Sequence, residues 1–524
     1  MPETPLQRPV MIYDGQCFFC QRWVERWRRN IGHVLDFEPY QQAAGRFPQI
    51  DPTAFGQAVH LVEPDGRVSR GAEAVLRAHA LAGRRRGWWW AYRYLPGFSA
   101  VAEQVYSTIA AHREAADQID LQLLGRRTDI GTHRLTRQVF LRSLGVIYVI
   151  AFGSLWVQIN GLIGSGGILP IDHYLQLVNQ RISGSDAIRL LPTLCWFNSS
   201  DSFLQTLCGG GVAAGLAVIA GIAQLPALVV AFVCYLSLTV AGQVFLGFQW
   251  DALLLEAGFL SIFFAPWEFW SNRSADNPRI SGAPSSIILW LLRWLLFRVM
   301  FTSGIVKLTS ADVAWRGWTA MQYHYETQPL PPWTAWYFFQ LPAWFQKASC
   351  GVVFFAELIV PLLIFGPRRV RLVAFWLIVL FQCLIIATGN YGFFNLLTIA
   401  LCFTLPDDSF WRWLVRRPEP PIEQRRASRW RWPVWITAPI AAVLLAVTIP
   451  VASAAFERPV RWPRPILALY EWIAPLRIAN SYGLFAIMTT ERPEIIIEGS
   501  DDGVLWKAYA FKWKPGDVTR RPAF

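Results

Sequence analysis

The sequence predicts three parts: a small α/β domain, then a polytopic α-helical membrane bundle of about nine spans, then a small β-rich C-terminal domain. Three observations carry this. Apolar residues make up 54% of the 524-residue chain and charged residues only 16%, whereas ordinary soluble domains are about a quarter charged. Tryptophan occurs 27 times, which fits aromatic belts at membrane interfaces. Finally, the texture changes near residue 139, from short mixed elements to long apolar runs. The net charge of +12 comes almost wholly from arginines lying in loops between apolar runs. That placement assigns them to membrane topology and argues against nucleic acid as a partner.

The front domain is expected over residues 1–120. Val10 to Tyr13 reads as a buried strand, Cys17 to Ile31 as a helix, and "HVLDFEPY" as a second strand. "QAVHLVEPDGRVSRGAEAVLRAHAL" reads as strand, Asp65-Gly66 turn, strand and helix. Such alternation within about 100 residues indicates a small α/β domain. The first residues lack a charged head followed by an apolar core, so no cleavable signal peptide is expected. A polar connector fills 121–135. The membrane region, 136–455, holds apolar runs at 139–162, 203–223, 225–246, 251–267, 286–308, 344–366, 370–388, 391–405 and 432–453. The fourth and eighth are short. Glycines at 209–211 and 221 suit close helix packing.

The positive-inside rule orients the spans. With residues 1–138 in the cytoplasm, the loops on that side hold Arg134, Arg137, Arg273, Arg279, the "RRVR" of 368–371 and the arginine-rich stretch 412–431. The opposite loops hold only Arg181, Arg189 and Arg316. The expected location is the cell membrane, multi-pass, with a cytoplasmic N-terminus and an extracytoplasmic C-terminus. The last part, 456–524, reads as strands at "GLFAIM", "EIIIEG" and "LWKAYAFKW" with a turn at Asp501-Asp502-Gly503. Packing on the outer loops is expected, because a lone hairpin is marginal.

Candidate chemistry starts with Cys17 and Cys20, which follow a strand and open a helix. A helix N-terminus stabilises a thiolate. Cys17 would be the exposed nucleophile and Cys20 the resolving thiol. The alternatives are two packed cysteines, or half of a metal site. His33 and His60 are the nearest histidines and supply no second ligand pair, so no metal is expected. "YDGQCFFC", with the later "EPDGRVSRGAEAVLRA", resembles the DCC family of thiol–disulfide oxidoreductase-like domains over residues 8–115. The resemblance implies a thioredoxin-like fold, Cys17 and Cys20 as the redox pair, and Asp14 and Gly15 shaping the turn. No X-Pro directly precedes the third strand; Pro52 is the nearest and lies too early.

Polar residues within apolar runs are costly and tend to be paired or functional. They are Asp251, Glu256, Arg293, Arg298 and Glu357. Arg298 is expected to pair with Glu256 or Glu357, either as a structural ion pair or as part of a cavity lining. Lys307 either snorkels to the outer surface or is a buried base. "YHYETQPLPPW" gathers Tyr323, His324, Tyr325, Glu326 and Gln328 on an outer loop, as a binding surface or an interfacial belt.

"GLIGSGGILP", "FQWDALLLEAGFLSIFFAP", "SGIVKLTSADVAWRGWTAMQYHYETQPLPPW" and "TGNYGFFNLLTIALC" resemble the lipase maturation factor family from about residue 135 onward. The resemblance implies a membrane factor needed for exported proteins to reach an active, assembled state, with its C-terminal domain outside. The redox domain at the front is not part of that pattern, and the C-terminal domain reads as shorter than the family's. The "SGIVKL" stretch is also similar to the lysine-bearing segment of vitamin K-dependent gamma-carboxylases, which implies Lys307 as a base.

The main expectation is therefore a membrane maturation factor with a thiol-redox domain. The alternative is a carboxylase-like or quinone-linked membrane enzyme using Lys307. Expected partners are the lipid bilayer, an exported client, with a lipase as one option, and a cytoplasmic thiol reductant. No cofactor is expected beyond the dithiol, with a quinone or lipid as the alternative occupant of the membrane site.

Overall fold

The computed structural model describes residues 6–83, 86–123, 132–182, 184–270, 283–416, 432–457, 461–509, 511 and 516–523. Arg273, Arg279, most of 412–431 and most of the 121–135 connector, all used above, lie outside the described residues. The chain divides into two compact units, one formed mainly by residues 1–131 and one mainly by 132–524.

The first unit is a mixed sheet with helices. Its elements are β1 (Val10–Tyr13), α1 (Phe18–Ile31), β2 (Asp36–Pro39), α2 (Tyr40–Ala43), α3 (Pro52–Gln57), β3 (His60–Val62), β4 (Val68–Arg70), α4 (Gly71–Leu81), α5 (Arg86–Tyr94), α6 (Phe98–Ala111) and α7 (Arg113–Leu123). The strand order is β2-β1-β3-β4. β1 runs parallel to β2, with Val10 opposite Asp36, and antiparallel to β3, with Val10 opposite Val62. β1 and β3 are the central strands; both are largely buried, and apolar but for His60, as strands covered on both faces tend to be. Met11, Val24, Ile31, Leu35 and Leu61 form the core on one side; each such side chain contributes about 1.5–3 kcal/mol by leaving water. Val10, Ile12, Phe47, Phe55 and Val62 form it on the other. The β3–β4 turn is closed by Gly66 at φ +82°. Pro52 is spent on starting α3, where Asp51 caps the helix.

The second unit is almost entirely helical. Among the described residues, seven helices are long and apolar enough to cross a bilayer: Arg134–Trp156, Asp201–Ala220, Gln224–Ala241, Ser286–Thr309, Ala343–Phe365, Arg368–Thr388 and Val434–Phe456. The two short runs form shorter helices, Gln249–Phe264 and Phe394–Cys402. Arg134–Trp156 packs along Asp201–Ala220, where Gly211 is required: a Cβ there would lie 2.3 Å from the Phe152 ring. Gly221 has a different role from its neighbours, ending that helix at φ +73°. The Asp408 carboxylate caps the first long helix, accepting from Thr132 Oγ1 at 2.6 Å, Arg134 N at 2.8 Å and Thr136 N at 3.1 Å.

The C-terminal part departs from the strand reading. Residues 483–488 of "GLFAIM" are not a strand. Among the described residues the only ladder there pairs Glu498–Gly499 with Lys507–Ala508. An amphipathic helix, Arg464–Ile473, precedes it. The apolar run of 484–488 instead turns, with Phe485 at φ +54°, and packs against the bundle.

Candidate functional site

Two centres gather the candidate residues. The first is the dithiol in the front unit. Cys17 is the N-cap of α1, so the helix starts one residue later than the sequence pattern suggests. Cys17 Sγ accepts from Cys20 N at 3.2 Å and from the Cys20 thiol at 2.6 Å. Both cysteines are partly exposed and free. Burial pushes the Cys20 thiol far above its ordinary value, and the Cys17 sulfur beside it pushes the same way, opposed by the nearby Arg113 charge. Cys20 therefore holds its proton at neutral pH, and Cys17 sits as the N-cap of α1 beside it.

The turn before the pair is fixed by side chains. Asp14 Oδ1 accepts from Gln16 N at 3.0 Å and Gln41 Nε2 at 2.9 Å, while Oδ2 faces Arg113 at 3.3 Å. Gly15 N donates to Gln41 Oε1 at 3.0 Å. A Cβ on Gly15 would lie 2.6 Å from Pro39 Cβ, so only glycine fits there. Gln41 and Arg113 are parts of this site that the sequence pattern did not single out. They lie 27 and 99 residues from Asp14, beyond any local spacing rule.

The second centre is a chain of buried charges in the helical unit. Arg298 pairs with Glu256, one of the two partners expected. Glu256 Oε2 also accepts from Tyr482 OH at 2.8 Å and from Asn480 N and Nδ2, both at 3.2 Å. Arg298 Nη1 donates to Asn480 O at 2.9 Å. Glu357 takes the other cation: Lys307 Nζ lies 2.8 Å and 3.1 Å from its two oxygens. Glu357 sits in a π-helical turn, Phe355–Ile359, a distortion that re-aims a side chain. Lys307 also donates to Ser303 O at 3.1 Å and Leu484 O at 2.8 Å, the full complement of an ammonium group, with the Trp315 ring 5.4 Å away. It is 3% exposed, so it does not snorkel. It offers no unshared nitrogen to a substrate, and neither the geometry nor the relatives below support the carboxylase-like or quinone-linked reading for Lys307.

Residues 480–488 thus cross both ion pairs, and Trp315 Nε1 adds a bond to Phe485 O at 2.8 Å. Sequence reasoning missed Asn480 and Tyr482, because they lie 224 and 226 residues from Glu256. Asp251 lies apart, taking Tyr235 OH at 2.5 Å and capping its own helix through Phe248 N at 3.2 Å. The "YHYETQ" stretch is a helix, Ala320–Thr327, rather than a loop. Tyr325 and Gln328 are buried, and Tyr323 packs on the cluster of Trp315, Met321 and Met488. The Tyr391 hydroxyl lies 3.2 Å from both His324 Nε2 and Gln328 Oε1. Arg492 donates to the backbone oxygens of Glu326 and Gln328 at 3.0 and 3.1 Å. A mostly apolar cavity of about 280 Å³ lies against Lys307, His324, Glu357, Tyr391 and Phe485. The helix thus buries Tyr325 and Gln328, while Tyr323, His324 and Glu326 stay partly exposed.

Comparison with known proteins follows the same division. Residues 135–413 match the lipase maturation factor transmembrane domain, 11–118 the DCC1-like thiol-disulfide oxidoreductase, and 478–524 the lipase maturation factor C-terminal domain. Lipase maturation factor 2 of Gallus gallus is 35% identical over 493 residues, covering 74% of this chain and 68% of its own length. The Homo sapiens protein of the same name is 35% identical over 500 residues, with 74% and 69% covered. Lipase maturation factor 1 of Bos taurus is 35% identical over 430 residues, covering 77% and 74%. No solved structure matches the chain.

Proposed function

The chain belongs to the lipase maturation factor family, and from that premise we propose that it is a multi-pass membrane maturation factor for exported proteins, a lipase among them, carrying its own thiol–disulfide redox domain. The observation that carries the reading is the 35% identity with lipase maturation factor 2 across 74% of this chain. The test is to express an exported lipase in cells with and without this protein and measure secreted activity per mass of secreted lipase. A fall without it is expected; an unchanged ratio would sink the proposal.

The front domain is read as thioredoxin-like, with Cys17 and Cys20 as its redox pair. The β1-α1-β2 parallel unit followed by antiparallel β3 and β4, and the CxxC at the start of α1, support that reading. A cytoplasmic thiol reductant would return the pair to the dithiol. The domains are assigned as 1–120 for the redox part, 136–455 for the membrane part and 456–524 for the outer part, with 121–135 as linker.

Nine crossings are proposed, with the N-terminus cytoplasmic, in the cell membrane. Contacts between helix ends favour nine over seven. Thr309 Oγ1 donates to Ala455 O at 2.8 Å, so both ends share a face. Three long helices separate them; an even number is needed, and Phe394–Cys402 supplies the fourth. Arg134 and Asp408 share a face through their 2.8 Å bond. Three crossings then separate Asp408 from Thr309, so Arg134 and Thr309 face opposite sides. Four long helices run between those two, and Gln249–Phe264 adds the fifth. The arginines of 134–137 and 368–371 put the Arg134 face inside. An impermeant thiol reagent checks this in a variant keeping only Cys17 and Cys20. The pair should stay unlabelled in intact cells and react after permeabilisation; labelling from outside would reverse the orientation.

A further inference from the structure

Beside Cys20 the front unit carries a groove of about 540 Å³, lined almost entirely by apolar and aromatic side chains. Trp23, Trp27, Trp88, Phe98, Val101 and Val105 form its walls, and Cys20, Asp14 and Arg113 one edge. Its volume falls within the range of small-molecule sites, roughly 300–1,000 Å³. The outer wall is open: Trp88 is 59% exposed, Val101 63% and Val105 54%.

The groove does not suit an extended polypeptide. A peptide docking beside the dithiol needs free backbone groups on the segment before β3, and these are already used. Val59 N is bonded to Tyr106 OH at 2.9 Å, and Val59 O accepts from Gly71 N at 3.0 Å. Arg113 holds Gly56 O at 2.7 Å and Gln57 O at 3.1 Å, and Ala58 N bonds Ala54 O at 3.2 Å. What remains is a flat apolar slot with aromatic faces, a thiol and one guanidinium. Those features recognise a planar, uncharged ring bearing hydrogen-bond acceptors.

We propose that this groove binds a quinone and that the Cys17–Cys20 dithiol reduces it. The proposal rests on the redox reading of that pair. The Cys17 sulfur, 2.6 Å from the groove-lining Cys20 thiol, adds to a ring carbon, forming a C–S bond. The Cys20 sulfur then attacks Cys17 Sγ. The S–S bond forms and the C–S bond breaks, leaving its electron pair on the ring. The two thiol protons go to the two quinone oxygens. The dithiol loses two electrons and the quinone becomes the hydroquinone. Arg113, at the thiol edge of the groove, would add positive charge near the ring oxygen on which negative charge develops.

The test uses the reduced full chain in lipid nanodiscs, with duroquinone as one oxidant and glutathione disulfide as the other. Hydroquinone formed and thiols lost are measured against a Cys17→Ser/Cys20→Ser blank. Val101→Trp fills the groove and Val105→Glu charges it. Both sites face open space, so neither change disturbs the core. The expected result is duroquinone reduction slowed roughly tenfold or more in both variants, the equivalent of about 1.4 kcal/mol or more of lost binding, with glutathione disulfide reacting as in the wild type. Duroquinone rates unchanged in the variants would overturn the proposal, as would equal slowing of both oxidants. Wild-type reaction with glutathione disulfide alone would overturn it and leave the redox reading intact. Reaction with neither oxidant would overturn both.

Discussion

Replacing Arg298 with methionine removes the cation from a carboxylate that is 2% exposed. Breaking a buried ion pair from one side costs about 3–5 kcal/mol, because the remaining charge stays buried. Glu256 keeps three donors, Asn480 N, Asn480 Nδ2 and Tyr482 OH, which places Arg298→Met at the lower end, about 3 kcal/mol. Glu256→Gln leaves the Arg298 charge without its counter-ion, among neutral groups such as Asn480 O at 2.9 Å and the Tyr482 ring, a loss of about the same size. At about 2 °C per kcal/mol for a large domain, each single change lowers the apparent thermal midpoint by about 6 °C. The double variant holds no buried charge at this point, so its loss should be close to that of either single variant instead of about 12 °C. The assay is fluorescence-detected size exclusion after graded heating in a fixed detergent. Losses that simply add in the double variant would refute the coupling, and with it the claim that these two charges hold each other in the bundle.

Three further outcomes follow from particular contacts. Gly15→Ala forces a Cβ against Pro39 and Gln41 and should cost about 1–3 kcal/mol of overpacking; proteolysis of the front unit should quicken, and unchanged protection would show that the turn yields. Cys20 is partly exposed but holds its proton, so brief alkylation at neutral pH read by mass spectrometry should modify Cys17 first; preferential modification of Cys20 would reverse their roles. His324 lies in the helix Ala320–Thr327, and burial, helped by the Lys307 charge, pulls its pKa down to about 4. The unfolded chain therefore binds a proton below its ordinary value of about 6.5 that the folded chain refuses until about pH 4. Stability at this site is fully present at neutral pH and falls as pH drops through that window. His324→Gln should flatten the decline measured by thermal shift between those two pH values, and an unchanged slope would place its origin elsewhere.

The front unit was largely legible from the sequence because its signals are local. β1, the α1 helix after the two cysteines, and the strand–turn–strand–helix run around Asp65-Gly66 each depend on patterns within about twenty residues. The C-terminal strands failed for the complementary reason. "GLFAIM" has the composition of a strand, but its backbone groups meet Ser303, Trp315 and Lys307 rather than a neighbouring strand. The "YHYETQ" stretch was read as a loop surface because its polar residues suggest exposure. Tertiary packing turned it into a helix with His324 and Gln328 facing Tyr391.

The sequence by itself determined that this chain crosses a bilayer, that its paired cysteines open a helix and which apolar runs carry charges. Those properties follow from run length, local spacing and the cost of charge in hydrocarbon, all of which act residue by residue. Only the tertiary structure decided which charge meets which. Arg298 lies 42 residues from Glu256, Lys307 lies 50 from Glu357, and Glu256 lies 226 from Tyr482. Helix rotation, a π-helical turn and a returning C-terminal segment set those pairings, and no periodicity within one segment encodes the position of another.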